Sequence, residues 1–204
     1  MNFADEQRAE LARLLERVGP QAPTLAGDWT THDLAAHLWV RENDPLSLPG
    51  IALTAFAPLT GRRMDRARQR YSYAELVRRF RRPRVWTKAM RPANGAEFFL
   101  HRIDVLRADH TLEYAPPTPS DEDALWGKVR LVSLRLRRAK TAIVVERADT
   151  GATHRVGAGA EIVTILGKPS ELLLFLSGRG RFAHVEFIGP ARRVEQVRGL
   201  DLGL

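Results

Sequence analysis

The chain has 204 residues, 44% hydrophobic and 27% charged, with a formal net charge of +8 and no cysteine. Such a composition suits one or two compact domains with a real core, and the missing cysteine excludes disulfides, a thiolate nucleophile of the chain's own and Cys-based zinc sites. No run of about 18 apolar residues occurs, so no membrane span is expected; the acidic, amphipathic start MNFADEQRAELARLL lacks the basic-then-apolar order of a signal peptide, and a cytoplasmic protein is expected.

Leu11, Leu14, Leu15 and Val18 recur at helical spacing, which predicts a helix over residues 5–18 capped by Asp5 and stopped by Gly19-Pro20. After the loop QAPTLAGDW, Thr31 is expected to cap a second helix reaching about Asn43, with Leu34, Ala35, Leu38 and Trp39 on its apolar face. The Pro- and Gly-containing stretch 45–50 ends it, and a third helix is predicted over residues 53–70. The capping box Ser72-Tyr73-Ala74-Glu75 opens a short fourth helix that Pro83 stops. Asn94 or a neighbour opens a fifth, apolar at Phe98, Phe99, Ile103 and Leu106.

The stiff stretch APPTP at 115–119 is the expected domain boundary. Residues 1–114 are read as a helical domain and 120–204 as an α/β domain, giving an α+β chain. In the second domain Ser120 is expected to cap a helix over 121–137. TAIVVE (141–146) and EIVTIL (161–166) read as strands with turn residues between them at 148–159. SELLLFLS (170–177) reads as a buried helix closed by Gly178, and 185–188 as a further strand.

The basic excess is spread widely. Its densest stretch, Arg78-Arg79-Phe80-Arg81-Arg82-Pro83-Arg84, falls at the end of the fourth helix, where cations complement the helix dipole. No nucleic-acid reading motif accompanies it, so nucleic acid is not an expected partner.

The residues that point to chemistry are histidines and a carboxylate. Glu97 and His101 are four apart on one predicted helix, hence one turn apart on one face. His37 sits on an otherwise apolar helical face in Asp33-Leu34-Ala35-Ala36-His37-Leu38. Inward side chains from facing helices are a common way to build a metal site. Two histidines and a carboxylate leave coordination positions open and suit zinc or another first-row metal. Asp33, one turn before His37, is a candidate to orient its ring. Trp29, Trp39 and Trp86 are candidate pocket walls. His32, His110, His154 and His184 are candidate fourth ligands.

The run 28–42, with Asp28-Trp29-Thr30-Thr31-His32-Asp33-Leu34-Ala35-Ala36-His37-Leu38 and Arg41-Glu42, is followed by Glu97-Phe98-Phe99-Leu100-His101 and Asp104-Val105, then Arg107-Ala108. Together with the tail Glu171-Leu172-Leu173-Leu174-Phe175-Leu176-Ser177-Gly178-Arg179 and Val185-Glu186-Phe187-Ile188-Gly189-Pro190, these resemble the actinobacterial DinB-like metal-binding proteins related to mycothiol-dependent maleylpyruvate isomerase. The resemblance spans nearly the whole chain. It implies an N-terminal DinB-like four-helix bundle with one metal, usually zinc, and a smaller C-terminal α/β domain. Carried over residue by residue, it implies His37, Glu97 and His101 as the ligands. The subgroup's pattern after the last ligand is His-His-Glu-Asp-Val-Arg-Arg-Ala; here it is His101-Arg102-Ile103-Asp104-Val105-Leu106-Arg107-Ala108, without the second His and the Glu.

The function implied is a metal-dependent transferase or isomerase that uses a low-molecular-weight thiol, such as mycothiol, on an electrophilic small molecule. Arg41, Arg102 and Arg179 are candidates to hold an anionic substrate or the thiol. The alternative is a non-catalytic, metal-containing protein that binds a small molecule. Monomer and homodimer are both compatible with the sequence.

Overall fold

The computed structural model describes residues 2–43, 57–82 and 91–202. It is an α+β chain that divides between Tyr114 and Ala115 into two compact units. The expected turn at 45–50, residues 53–56 of the third predicted helix, and Pro83, Arg84 and Trp86 lie outside the described residues.

The first unit is helical among its described residues. Helix α1 (Phe3–Val18) starts two residues before the expected point, because Asn2 rather than Asp5 caps it: the Asn2 side chain accepts the Asp5 N–H. Helix α2 (Thr31–Asn43) is capped by Thr30, not Thr31. The Thr31 hydroxyl, fully buried, donates instead to the Gly19 carbonyl. Helix α3 spans Ala57–Arg70. Ser72 caps α4 (Tyr73–Arg81) by accepting the Glu75 N–H. Helix α5 (Arg91–Ala108) begins three residues before Asn94.

Helix α1 packs along α5, and α2 packs against α3 and α4. Leu34, Ala35, Ala36, Leu38 and Val40 on α2 are fully buried, as are Phe98, Phe99, Ile103 and Val105 on α5. Both helices are therefore enclosed on most sides, and polar side chains on them are forced into the interior. Arg8 on α1 shows how the unit satisfies one such charge. Its guanidinium forks onto the Glu42 carboxylate of α2, donates to the Phe80 carbonyl at 2.7 Å, and lies over the Phe80 and Phe98 rings at 4.9 and 4.6 Å.

The second unit opens with α6 (Pro119–Val132), which runs into a 3-10 segment, Ser133–Ala139. Thr118 caps it in a reciprocal box with Asp121, in place of the expected Ser120, and Pro119 takes the first helical position, where its missing N–H costs nothing. Strands β1 (Ala142–Arg147), β2 (Thr153–Val156), β3 (Ile162–Gly167) and β4 (Glu186–Ile188) form one sheet in the order β2-β1-β3-β4. β1 and β3 run parallel and both edge strands antiparallel. Gly157 allows the return from β2, since a Cβ there would sit 2.4 Å from the Thr141 carbonyl oxygen.

Ile143, Val145, Val163 and Ile165 alternate onto the buried sheet face. Helix α7 (Pro169–Leu176) packs on α6 and β3, with Phe175 edge-on to Phe187 at 5.2 Å. Helix α8 (Ala191–Arg198) closes the chain and buries Val194 and Val197. Strand β2 and helix α8 were not expected from the sequence.

Candidate metal centre

Helix α2 supplies His37 and α5 supplies Glu97 and His101, one turn apart. Their ligand atoms all lie within 4.8 Å of one another, the one such His/Asp/Glu group among the described residues. The Glu97 Oε1 atom is the hub: His101 Nε2 lies 3.3 Å from it, His37 Nε2 3.7 Å and the Arg41 guanidinium 3.5 Å. The two imidazoles meet edge to face, 5.2 Å between centroids. Donors held tetrahedrally 2.0–2.1 Å from a zinc ion are about 3.3 Å apart, so the two imidazole–carboxylate spacings are close enough for the group to hold a metal ion.

The hydrogen bonding supports the same reading. His37 Nε2 and His101 Nε2 are buried and have no hydrogen-bond partner among the described residues. His101 Nδ1 lies 3.0 Å from Asp104 Oδ2, where an ionised carboxylate can only accept a hydrogen bond. A neutral His101 therefore turns a bare lone pair towards a carboxylate oxygen. Two lone pairs face to face need a positive charge between them, either a proton or a metal ion. Single unpartnered nitrogens also occur elsewhere, at His32 and His154; here two of them face one carboxylate oxygen.

The electrostatics follow from these contacts. Burial pushes Glu97 up, but Arg41 and the two histidines overcome it and hold its carboxyl well below the ordinary range. Burial holds His37 below its ordinary value, with His101 adding to the effect against the pull of Glu97. Burial also pushes His101 down, yet Asp104 and Glu97 more than offset it and leave it raised. Burial thus favours the neutral ring of His37, while Asp104 and Glu97 favour the protonated ring of His101, a proton that a bound metal ion would displace.

No family model, no curated protein and no solved structure matches the chain.

The other candidate residues divide sharply. Arg41 is at the centre: its NH2 donates to Asn94 Oδ1 across a long 3.4 Å and its Nε is buried without a partner. Trp29 is also there, its ring 5.1 Å from His37. Asp33 does not orient His37. Its Oδ2 accepts the Thr30 N–H and hydroxyl at 2.9 and 2.8 Å, and its Oδ1 accepts from Arg68 on α3. A carboxylate in the first turn of a helix reaches back to the cap before it reaches forward. Arg102 does not face the centre either. It is one residue on from His101, about 100° round the helix, and donates to Glu10 on α1 at 2.7 Å. Ile103 is fully buried in the core. Trp39 packs on Tyr71 at 5.2 Å.

His32 stands edge-on to Tyr73, and His110 is exposed. His154 and His184 belong to the second unit, as does Arg179, which donates to the Ser177 carbonyl at the end of α7. Within the Arg78–Arg82 run, Arg79 bonds Glu75 and Arg81 bonds Glu16, so part of that charge is spent inside the unit. No helix among the described residues is long and apolar enough to cross a membrane.

Two site residues had not been singled out in these roles. Asn94 touches Arg41, and Asp104 touches His101. The signal for Asp104 was present in the spacing, because residues three apart share a helix face.

Proposed function

We propose that the first unit, as a DinB-like bundle, holds one divalent metal ion, zinc by preference, on His37, Glu97 and His101, and that the protein is a thiol-using transferase or isomerase acting on an electrophilic small molecule. The observation that carries the metal is the pair of buried, unpartnered Nε2 atoms facing one carboxylate oxygen. A metal with open positions supplies a Lewis acid that lowers the pKa of a thiol reaching it.

What the chain's own residues do is bind and orient. His37 and His101 offer imidazole nitrogens from two helices, which fixes the site only when the unit is folded. Glu97 removes one unit of positive charge. Arg41 restores one beside it, and its loosely held guanidinium is placed to take an anionic group of thiol or substrate. Trp29 walls the His37 side. The thiol itself rests on the resemblance of segments 28–42 and 97–108, and on a chain that has no cysteine to offer in its place.

A metal-holding protein that binds without turnover is the second reading. It is favoured by one observation: where the family pattern has His and Glu after the last ligand, Arg102 is tied to Glu10 and Ile103 lies in the core. No acid or base stands at those positions to move a proton.

The two readings separate in one assay. Zinc-loaded protein is mixed with an aryl halide and a panel of small thiols, and thioether formation is followed. Turnover that needs protein, metal and thiol together, and fails in His101→Ala, supports the enzyme. Thiol binding to the loaded protein with no acceleration for any pair supports the binding protein.

A further inference from the structure

We infer that Asp104 is the positioning residue of the metal centre, fixing the His101 imidazole with its proton on Nδ1 so that Nε2 is the atom presented to the ion. The inference rests on the metal reading above, and adds a residue that this reading does not require.

Asp104 lies three residues after His101 on α5, on the same helix face. Its side chain is fully buried, and its Oδ2 is 3.0 Å from His101 Nδ1. A carboxylate enclosed this completely is costly unless a partner compensates it. The partner here is an imidazole that is itself buried and has its other nitrogen unsatisfied. In a neutral histidine one nitrogen carries the proton and the other the lone pair, and the hydrogen bond made by one decides the role of the other. Asp104 accepts a proton and can donate none when ionised, so it selects the Nδ1–H form. The lone pair then lies on the nitrogen that faces Glu97 and His37. The bond also stops rotation of the ring about its χ angles, so Nε2 stays aimed at the centre.

A second tie keeps Asp104 itself in place. Its backbone carbonyl accepts the Leu25 N–H at 3.1 Å, which joins the loop between α1 and α2 to α5. This loop also carries Trp29, whose carbonyl accepts the Thr24 hydroxyl at 2.9 Å. Substituting the Asp104 side chain leaves this backbone bond intact.

The test uses two variants and one measurement on the wild type. Asp104→Leu keeps the branched four-atom shape, with bulkier methyl groups, and removes the acceptor; Asp104→Asn keeps an oxygen that can accept from Nδ1. Zinc affinity is read by competition with a chelator, and coordination by the absorption spectrum of the cobalt(II)-loaded protein. The expected result for Asp104→Leu is a 10- to 100-fold loss of zinc affinity with a changed cobalt spectrum. Asp104→Asn is expected to lose less and keep the wild-type spectrum. In metal-free wild type, ¹⁵N imidazole shifts recorded where the ring is neutral should show His101 protonated at Nδ1. A folded Asp104→Leu with wild-type affinity and spectrum overturns the inference, as does protonation at Nε2. If Asp104→Leu fails to fold, Asp104→Asn and the ¹⁵N shifts decide. If wild type takes up no zinc, the metal reading fails, and the ¹⁵N shifts still decide the role of Asp104.

Discussion

In the second unit, Arg147 is only 5% exposed and fully engaged: its Nε and NH2 donate to Asp149 at 2.9 and 2.8 Å and its NH1 to Asp123 at 2.7 Å. Nearby in the same unit, buried Glu122 accepts both the N–H and the hydroxyl of Ser170, which supplies α7 with the cap that Lys168 does not. The centre in the first unit is also enclosed, yet His37 Nε2, His101 Nε2 and Arg41 Nε have no partners among the described residues. Helical packing does not explain the difference, because Arg8 and Glu42 satisfy each other within the same unit. Closed clusters hold structure; an open cluster of metal-ligating groups calls for something from outside.

The comparison breaks most readily at the ligands. Replacing His37 or His101 with Ala should abolish stoichiometric metal binding, an effect larger than the 10- to 100-fold expected of a supporting residue. Added zinc should raise the thermal midpoint of wild type and leave both variants unmoved, since a ligand stabilises only the state that binds it. Thermal scans with and without zinc check this.

Glu42→Ala should do the reverse. It strands the Arg8 guanidinium in the interior at a cost of about 3–5 kcal/mol, read by denaturant unfolding, while metal per folded chain stays unchanged. Glu97→Gln should fall between these extremes: an amide oxygen still coordinates, so zinc affinity drops less than in either histidine variant, as a chelator titration would show.

The smallest expected effect is a pH dependence in the second unit. The hydrogen bonds from Arg147 lower the Asp149 carboxyl from its ordinary value. A lowered native value means that its stabilising contribution is complete above about pH 4 and is lost as the pH falls through the native value. Unfolding curves of wild type and Asp149→Asn should therefore differ at neutral pH and converge in acid.

The fold was most legible where periodicity was strong. Leu11, Leu14 and Leu15, the Ser72 box, and the β-branched runs at 142–147 and 162–167 marked their elements because each buries one face or both. Strand β2 escaped notice because Val156 is the one fully buried residue in Thr-His-Arg-Val. Helix α8 was missed because two valines in an arginine-rich octet leave little pattern. The run at 133–139 has helical composition, but the chain tightens there into a 3-10 segment ending at Lys140 in the left-handed region.

Within the site, Glu97 and His101 were readable from their spacing on one helix. That His37 meets them depends on how α2 and α5 pack, which spacing alone does not give. Asp33 and Arg102 were misplaced for a related reason. Each is close to a ligand along the chain, but the helix cap takes one and helix rotation turns the other towards Glu10.

The most direct measurement is metal content, by elemental mass spectrometry on protein purified without an affinity tag, wild type beside His101→Ala. The account predicts roughly one zinc or other transition metal per wild-type chain, and none in the variant. A wild type that stays metal-free after reconstitution, or a variant that keeps its full complement, would contradict it.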